Sequence, residues 1–433
     1  MDPFLIGVIG IVLLIILLFS KLPIGAGMAL VGFLGFAAVV GLDPALGLLQ
    51  TVPYTTFSEQ SLSVIPLFLL MGAFAFQSGM SEDLFDAVYK WMGHFRGGVA
   101  MATVVACACF AAISGSSLAT AATLGAIALP EMKKFKYDDS LATGSIAAGG
   151  SIGILIPPSV ILIIYGIITE QSIGKLFLAG FIPGIMEAVF YILTIGFLTR
   201  RNPACGPRGP KTTFTEKMGS LKSAWEVALL FIIVIGGIYK GIFTPTEAAG
   251  IGAFGTFFFA LLRGRMGWKN FKLSLSGTLQ TTGMLFLVIL GAMIFGYFLS
   301  VTRLPMEFAA IVSGLPVNRY IILIIILVIT LLLGCIMDSM AIVLLTIPVF
   351  FPMIQALNFD PIWFGILVVR VTEMGLITPP VGLNVFVIKG ISGVDIGTIF
   401  KGVIPFLIAD FLQIIALMLF PQIILWLPSL MTG

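Results

Sequence analysis

Charge is scarce in this sequence, and histidine is almost absent. Of 433 residues, 23 are lysine or arginine and 20 aspartate or glutamate, leaving a net charge of +3. So slight an excess predicts no nucleic-acid partner. The single histidine, His94, lies in a charged segment, which argues against a histidine proton relay. No predicted span holds a histidine, and no two carboxylates stand at a spacing useful for acid–base work. An intramembrane hydrolase, and an enzyme generally, is therefore not expected. The four cysteines, Cys107, Cys109, Cys205 and Cys335, show no metal-ligand spacing. Cys107 and Cys109 would leave a helix from different faces and read as small packing residues. The period-2 alternation of a membrane barrel is missing too. Polar sequence runs long only at 200–222, so no separate soluble domain is expected.

What fills the chain is apolar: 59% of residues are hydrophobic and the mean hydropathy is +1.14. A bilayer core takes about 20 apolar residues per helix, and many such runs are present. Lipid offers no partner to a bare backbone group, so the expected class is an all-α integral membrane protein. The first run, Phe4–Phe19, has neither a basic leader nor an A-x-A cleavage site and reads as a retained helix. Spans are predicted near 4–20, 23–41, 62–79 and 176–199, then near 225–239, 246–262, 281–300 and 398–427. Charged arms fall at 81–96 and 303–316.

Landmarks recur at one offset. Ser117 and Ser339, Pro130 and Pro352, Asp138 and Asp360, Pro157-Pro158 and Pro379-Pro380, Gly180 and Gly402, and Pro183 and Pro405 are each 222 residues apart. Pro23 and Pro245 keep that offset. The chain therefore reads as two repeats, 1–205 and 223–433, joined by a cytoplasmic linker at 206–222. Each repeat holds a segment interrupted midway by a polar tip, at 99–132 and 319–356, which reads as a re-entrant hairpin. Each also holds a helix broken by two prolines, at 138–169 and 360–391. Irregular backbone at membrane depth is tolerated only where protein or a water-filled cavity surrounds it.

With the N-terminus outside, 18 basic residues, Lys21 among them, fall on the cytoplasmic side. Lys175, Lys240, Arg303 and Arg319 fall outside, and Arg370 lies within a span. The positive-inside rule supports this orientation, with both termini periplasmic. Each repeat then has five full crossings. Five is odd, so the repeats are inverted, and both tips meet near the midplane beside both broken helices. Secondary transporters place their sites in such surroundings.

Half-helix ends and unwound carbonyls attract ions. Ser114, Gly115, Ser116 and Ser117 at the first tip face Gly153 to Pro157 at the first break and form a candidate Na⁺ site. Gly334, Asp338 and Ser339 face Gly375, Thr378 and Pro379 as a second. Substrate would lie between them, with Ser116, Arg370, Glu373 and Asn384 as candidate contacts. Intramembrane charges are functional candidates by default. Arg370 is open to two readings: its planar fork suits a substrate carboxylate, or it pairs with Glu373 three residues on. Glu187 and Asp410 read as interhelical glue. Thr244-Pro245-Thr246-Glu247 reads as a capping box at a helix start.

The stretches GIFTPTEAAGIG (241–252), GSIGILIPPS (150–159), GLITPPVGLN (375–384) and the ISGSS tip resemble the large membrane subunit of tripartite ATP-independent periplasmic (TRAP) transporters, the DctM-like proteins. The resemblance covers essentially the whole chain. It implies Na⁺-driven import of a small organic acid, of the sialic acid or C4-dicarboxylate kind, across a bacterial inner membrane. It implies an ion-transporter-like fold in which hairpins and broken helices slide as an elevator against the other spans. It also implies two partners, a separate four-helix membrane subunit and a periplasmic substrate-binding protein. A self-sufficient Na⁺/carboxylate symporter of similar fold is the alternative.

Overall fold

The computed structural model describes residues 2–18, 20, 22–314 and 316–431. Phe19, which ends the first apolar run, Lys21, which was counted on the cytoplasmic side, and Leu315 of the second arm lie outside the described residues. So do Met1, Thr432 and Gly433 at the chain ends.

Among the described residues there are twenty α-helices and no strand. They begin with α1 (Pro3–Leu18), α2 (Ile24–Val40), α3 (Leu42–Phe57), α4 (Val64–Gln77) and the arm α5 (Met80–Met92). Two packed helices follow, α6 (Gly98–Ser114) and α7 (Ser117–Lys134), and then α8 (Asp139–Ser151), α9 (Val160–Thr169) and α10 (Ile173–Arg201). The second half runs α11 (Phe214–Tyr239), α12 (Pro245–Leu262), α13 (Trp268–Val301) and α14 (Leu304–Gly314). It continues with α15 (Arg319–Gly334), α16 (Ser339–Ala356), α17 (Pro361–Gly375), α18 (Leu383–Ser392), α19 (Ile396–Leu419) and α20 (Gln422–Ser429). Among the described residues, seven helices are long and apolar enough to cross a membrane.

Side-chain caps explain why several helices start where they do. Asp138 Oδ1 accepts the Ser140 and Leu141 N–H groups at the start of α8, and Asp360 Oδ1 those of Ile362 and Trp363 at the start of α17. Each cap is worth about 1 kcal/mol. Thr244 and Glu247 exchange bonds in the capping box at α12, with Pro245 at its first position. A second box, Thr213 with Glu216, starts α11.

That second box starts α11 within the expected linker, so residues 214–222 are helical. Other boundaries shift for physical reasons. α13 is 34 residues long rather than the 20 of its apolar window. Its polar first turns hold no proline, so the helix continues through them. α3 lies where no element was expected; Pro53 within it and a polar C-terminal end hide it from hydropathy. The last span divides at Phe420, which leaves helical backbone (φ −125°, ψ 74°) before Pro421.

The broken segments form the centre. Every α8 residue from Leu141 to Ser151 and every α17 residue from Trp363 to Gly375 is buried. A helix buried on all sides sits inside a bundle. Large apolar side chains such as Leu34, Phe254 and Leu279 are exposed on α2, α12 and α13, the faces lipid would cover.

Residues 202–213 form a strap tied to the helix ends beneath it. Gly97 N–H donates to Gly206 O at 2.8 Å, Gly209 N–H to Gly93 O at 2.9 Å and Asp138 N–H to Cys205 O at 3.0 Å. Beside the strap the pKa of His94 is lowered, first by desolvation and then by Lys217, Lys211 and Arg208. The phenol of Tyr137, between α7 and α8, is pushed up to about 12 by burial and accepts the Val99 N–H. Across the neighbouring helix ends, Arg263 joins Asp83 of α5 to Glu226 of α11.

Candidate functional site

The turn between α6 and α7 rests backbone to backbone on the break between α8 and α9. Gly115 holds φ +59°, left-handed backbone that favours glycine. A Cβ added there would lie 2.9 Å from Pro158 O. A Cβ on Gly153 would lie 3.4 Å from both Ser116 O and Ser117 Cα. Ser116 caps α7 by accepting the Ala119 N–H, and Ser114 shares a 2.8 Å bond with Thr120. The break itself is a short 3-10 turn, Ile152–Ile154, then Pro157-Pro158, with Ser159 capping α9. The structure thus brings Ser114, Gly115, Ser116, Ser117, Gly153 and Pro157 together.

The second site is built the same way. A Cβ on Gly375 would lie 2.5 Å from Gly334 Cα, so α15 and α17 touch through bare backbone. Gly382 N–H donates to Cys335 O at 3.2 Å, tying the break after α17 to the α15–α16 turn. Asp338 caps α16, its Oδ1 accepting from Met340 and Ala341 at 3.0 and 3.2 Å. Thr378 Oγ1 donates back to Met374 O. Pro379 is exposed whereas Pro157 is buried, so the two breaks differ in access. Both Pro-Pro bonds are cis.

Glu373 lies between the two turns. Its Oε1 accepts from Ser339 Oγ at 2.6 Å, and Ser117 of the other turn sits beside the same carboxyl. Asn384 reaches across to α8, its Nδ2 donating to Ala147 O at 3.3 Å.

Arg370 does not pair with Glu373. Its guanidinium is fully buried and meets Asp410 of α19 and, at 3.3 Å, Glu187 of α10. Its Nε donates to Gln413 Oε1 at 2.8 Å, and Gln413 Nε2 donates to Pro183 O. Ser151 and Tyr191 close the cluster around Glu187. The fork offered to a substrate carboxylate is thus already held by two protein carboxylates. Sequence reasoning missed Thr120, Ser151, Tyr191 and Gln413. Gln413 alone carried a signal, as an amide inside an apolar run.

A cavity of about 800 Å³ opens where α4 passes into α5 and is lined along α7 by Ala122, Thr123, Ala126 and Ile127. Gln77, Ser81, Glu82, Arg265 and Asn270 give it a polar rim.

Comparison with known proteins agrees with this architecture. Residues 11–423 match the tripartite ATP-independent periplasmic transporter, DctM component. The C4-dicarboxylate TRAP transporter large permease protein DctM of Pseudomonas aeruginosa is 36% identical over 405 residues, 90% of this chain and 93% of that protein. The sialic acid TRAP transporter large permease protein SiaM of Vibrio cholerae is 33% identical over 429 residues, 96% of this chain and 97% of that protein. Among solved structures, the Alcanivorax borkumensis YdaH transporter superposes with a TM-score of 0.59 at 16% identity, covering 99% of each chain. That likeness concerns the fold alone. A match across nearly the whole chain, with relatives of matching length, makes this multi-pass membrane protein a member of the DctM family of TRAP transporter large permeases, not an enzyme.

Proposed function

We propose that the protein imports a small organic acid by Na⁺-coupled secondary transport, as the large subunit of a binding-protein-dependent TRAP transporter in a bacterial inner membrane. The observation that carries this reading is the double contact of turn against break. Each pairs a helix N-terminus and hydroxyls with the unwound end of a discontinuous helix, the surroundings in which secondary transporters hold ions and substrate. One Na⁺ at each pair would find hard oxygen donors, at Ser114, Ser116 and Ser117 on one side and Asp338, Ser339 and Thr378 on the other. Substrate would lie between them, within reach of Ser116 and Asn384. The names of the relatives favour a carboxylate. Na⁺ entry supplies roughly 2.3 kcal/mol per charge per 100 mV, plus its concentration gradient.

Inverted repeats are part of this proposal. Two contacts support them. Tyr165 near the end of α9 donates to Pro361 O at the start of α17. Lys133 near the end of α7 donates to Ser392 O at the end of α18. By the first contact the second half of one broken helix lies beside the start of the other, and by the second the end of the first hairpin lies beside the end of the second broken helix, as opposite orientations require. We place the termini in the periplasm and the strap in the cytoplasm. The two hairpins and broken helices would then move as an elevator against α1–α5 and α11–α14. The 800 Å³ cavity suits a cytoplasmic release path. A four-helix membrane subunit and a periplasmic binding protein complete the assembly.

The test is uptake of labelled organic acids into proteoliposomes under a Na⁺ gradient, with and without the two partners. Uptake requiring Na⁺ and both partners is expected. Uptake by this chain alone would replace the tripartite reading with a self-sufficient symporter. For topology, Lys211→Cys and Arg303→Cys, both at exposed positions, should label from opposite sides of the membrane in a cysteine-free background. Labelling from one side would refute the inverted arrangement.

A further inference from the structure

Among the described residues, Glu373 is the fully buried carboxylate without a counter-charge. It is fully buried at the point where the two turns converge. Ser339 Oγ donates to Oε1, Ser117 stands beside the carboxyl, and Oε2 has no hydrogen-bond partner. The charged groups nearest to it are spoken for. Arg370, three residues earlier on α17, is turned to Asp410 and Glu187, so the surroundings hold one fixed positive charge against three carboxylates. A buried carboxylate with a bare oxygen is costly unless something positive meets it.

An anionic substrate is the wrong occupant, because it would bring a second negative charge to the same point. A small hard cation is the right one. A carboxylate oxygen flanked by two hydroxyls is an all-oxygen donor set of the kind such ions take.

We propose that Glu373 binds a further Na⁺ at the junction of the two turns, sharing the Ser117 hydroxyl with the ion of the first turn-and-break pair and the Ser339 hydroxyl with that of the second. This deepens the Na⁺-coupled reading and rests on it. The position gives the ion a specific task. Its donors come from α7, α16 and α17, so it binds fully only when both hairpins are seated, and it links the occupancy of one half of the site to the geometry of the other. In the ion's absence only hydroxyl contacts join the two hairpins to Glu373, and the hairpins separate more readily.

The experiment is equilibrium binding of ²²Na⁺ to the full chain in nanodiscs, with thermal unfolding measured in Na⁺ and in choline. Glu373→Gln should bind one Na⁺ fewer per chain than the wild type and lose part of the Na⁺-dependent thermal shift. Glu373→Asp, which keeps the charge, should retain the count with at least severalfold weaker affinity. If Glu373→Gln does not fold, the affinity of Glu373→Asp decides: an unchanged value overturns the assignment. An unchanged count in Glu373→Gln overturns it as well. Should that variant also lose the pH dependence of uptake, the carboxyl carries a proton instead. A wild type that binds no Na⁺ would overturn the Na⁺-coupled reading itself, an outcome distinct from a site failing only at Glu373.

Discussion

Arg370→Leu should lose thermal stability so severely that little folded protein can be purified. Arg370 is the largest fully buried side chain and carries the positive charge that holds α17, α10 and α19 together. Removing it leaves Glu187 and Asp410 facing each other in a low-dielectric interior. Deleting one partner of a buried ion pair costs about 3–5 kcal/mol, a large share of the total stability of an ordinary domain. The direction of the asymmetry is a sharper check than the size. Asp410→Asn leaves Arg370 with Glu187 and should cost less. Glu187→Gln leaves it with Asp410 and should also cost less. Replacing all three with apolar residues of similar volume should recover much of the loss, because no uncompensated charge remains. Melting of the detergent-solubilised variants checks the series. A single Arg370→Leu variant with the wild-type melting curve would show that the cluster contributes nothing to the fold. Recovery in the triple variant without recovery of uptake would separate its structural role from transport.

This cluster also marks where sequence reading stopped. Glycine, serine and proline stand out against an apolar background, so the turns at Ser114 to Ser117 and Gly334 to Ser339, and the breaks at Pro157 and Pro379, were legible. Their causes are local: missing N–H donors, left-handed glycine and side-chain caps act within a few residues. The partners of Arg370 were not legible. Spacing on a helix pointed to Glu373, three residues on, and nothing within one helix competed with it. The partner on α10 lies in the other half of the chain, and only tertiary packing brings it near. The N-terminal turns of α13 were missed for a related reason. Hydropathy reports what lipid would cover, whereas a helix runs on until something breaks it.

The same distinction explains why the contact between Gly334 and Gly375 carries the last prediction. In sequence both glycines were candidate members of the second Na⁺ site; the structure shows that their backbones press against each other, leaving little room for a side chain on either. A Cβ on Gly375 would meet Gly334 Cα at 2.5 Å and its carbonyl carbon at 2.6 Å, and both obstacles are backbone. On Gly334 the nearest atoms are Gly375 Cα at 3.0 Å and Thr372 O at 3.1 Å, a milder conflict. Overpacking of this kind costs about 1–3 kcal/mol. α17 is buried on every side, so the hairpin is the part that must yield. Gly375→Ala should therefore push the α15–α16 turn off the break, and at about 1.4 kcal/mol per factor of ten it should depopulate the seated hairpin roughly fivefold to a hundredfold. Na⁺-driven uptake should fall accordingly, while the Arg370 cluster, more than one helical turn away, keeps the protein folded. Gly334→Ala should cost less. Gly250→Ala, on a face with nothing within 4 Å, should cost nothing. Uptake and melting together decide the matter: Gly375→Ala with full uptake would mean that the hairpin does not need to seat against the break, and the turn-and-break geometry would lose its place at the centre of the mechanism.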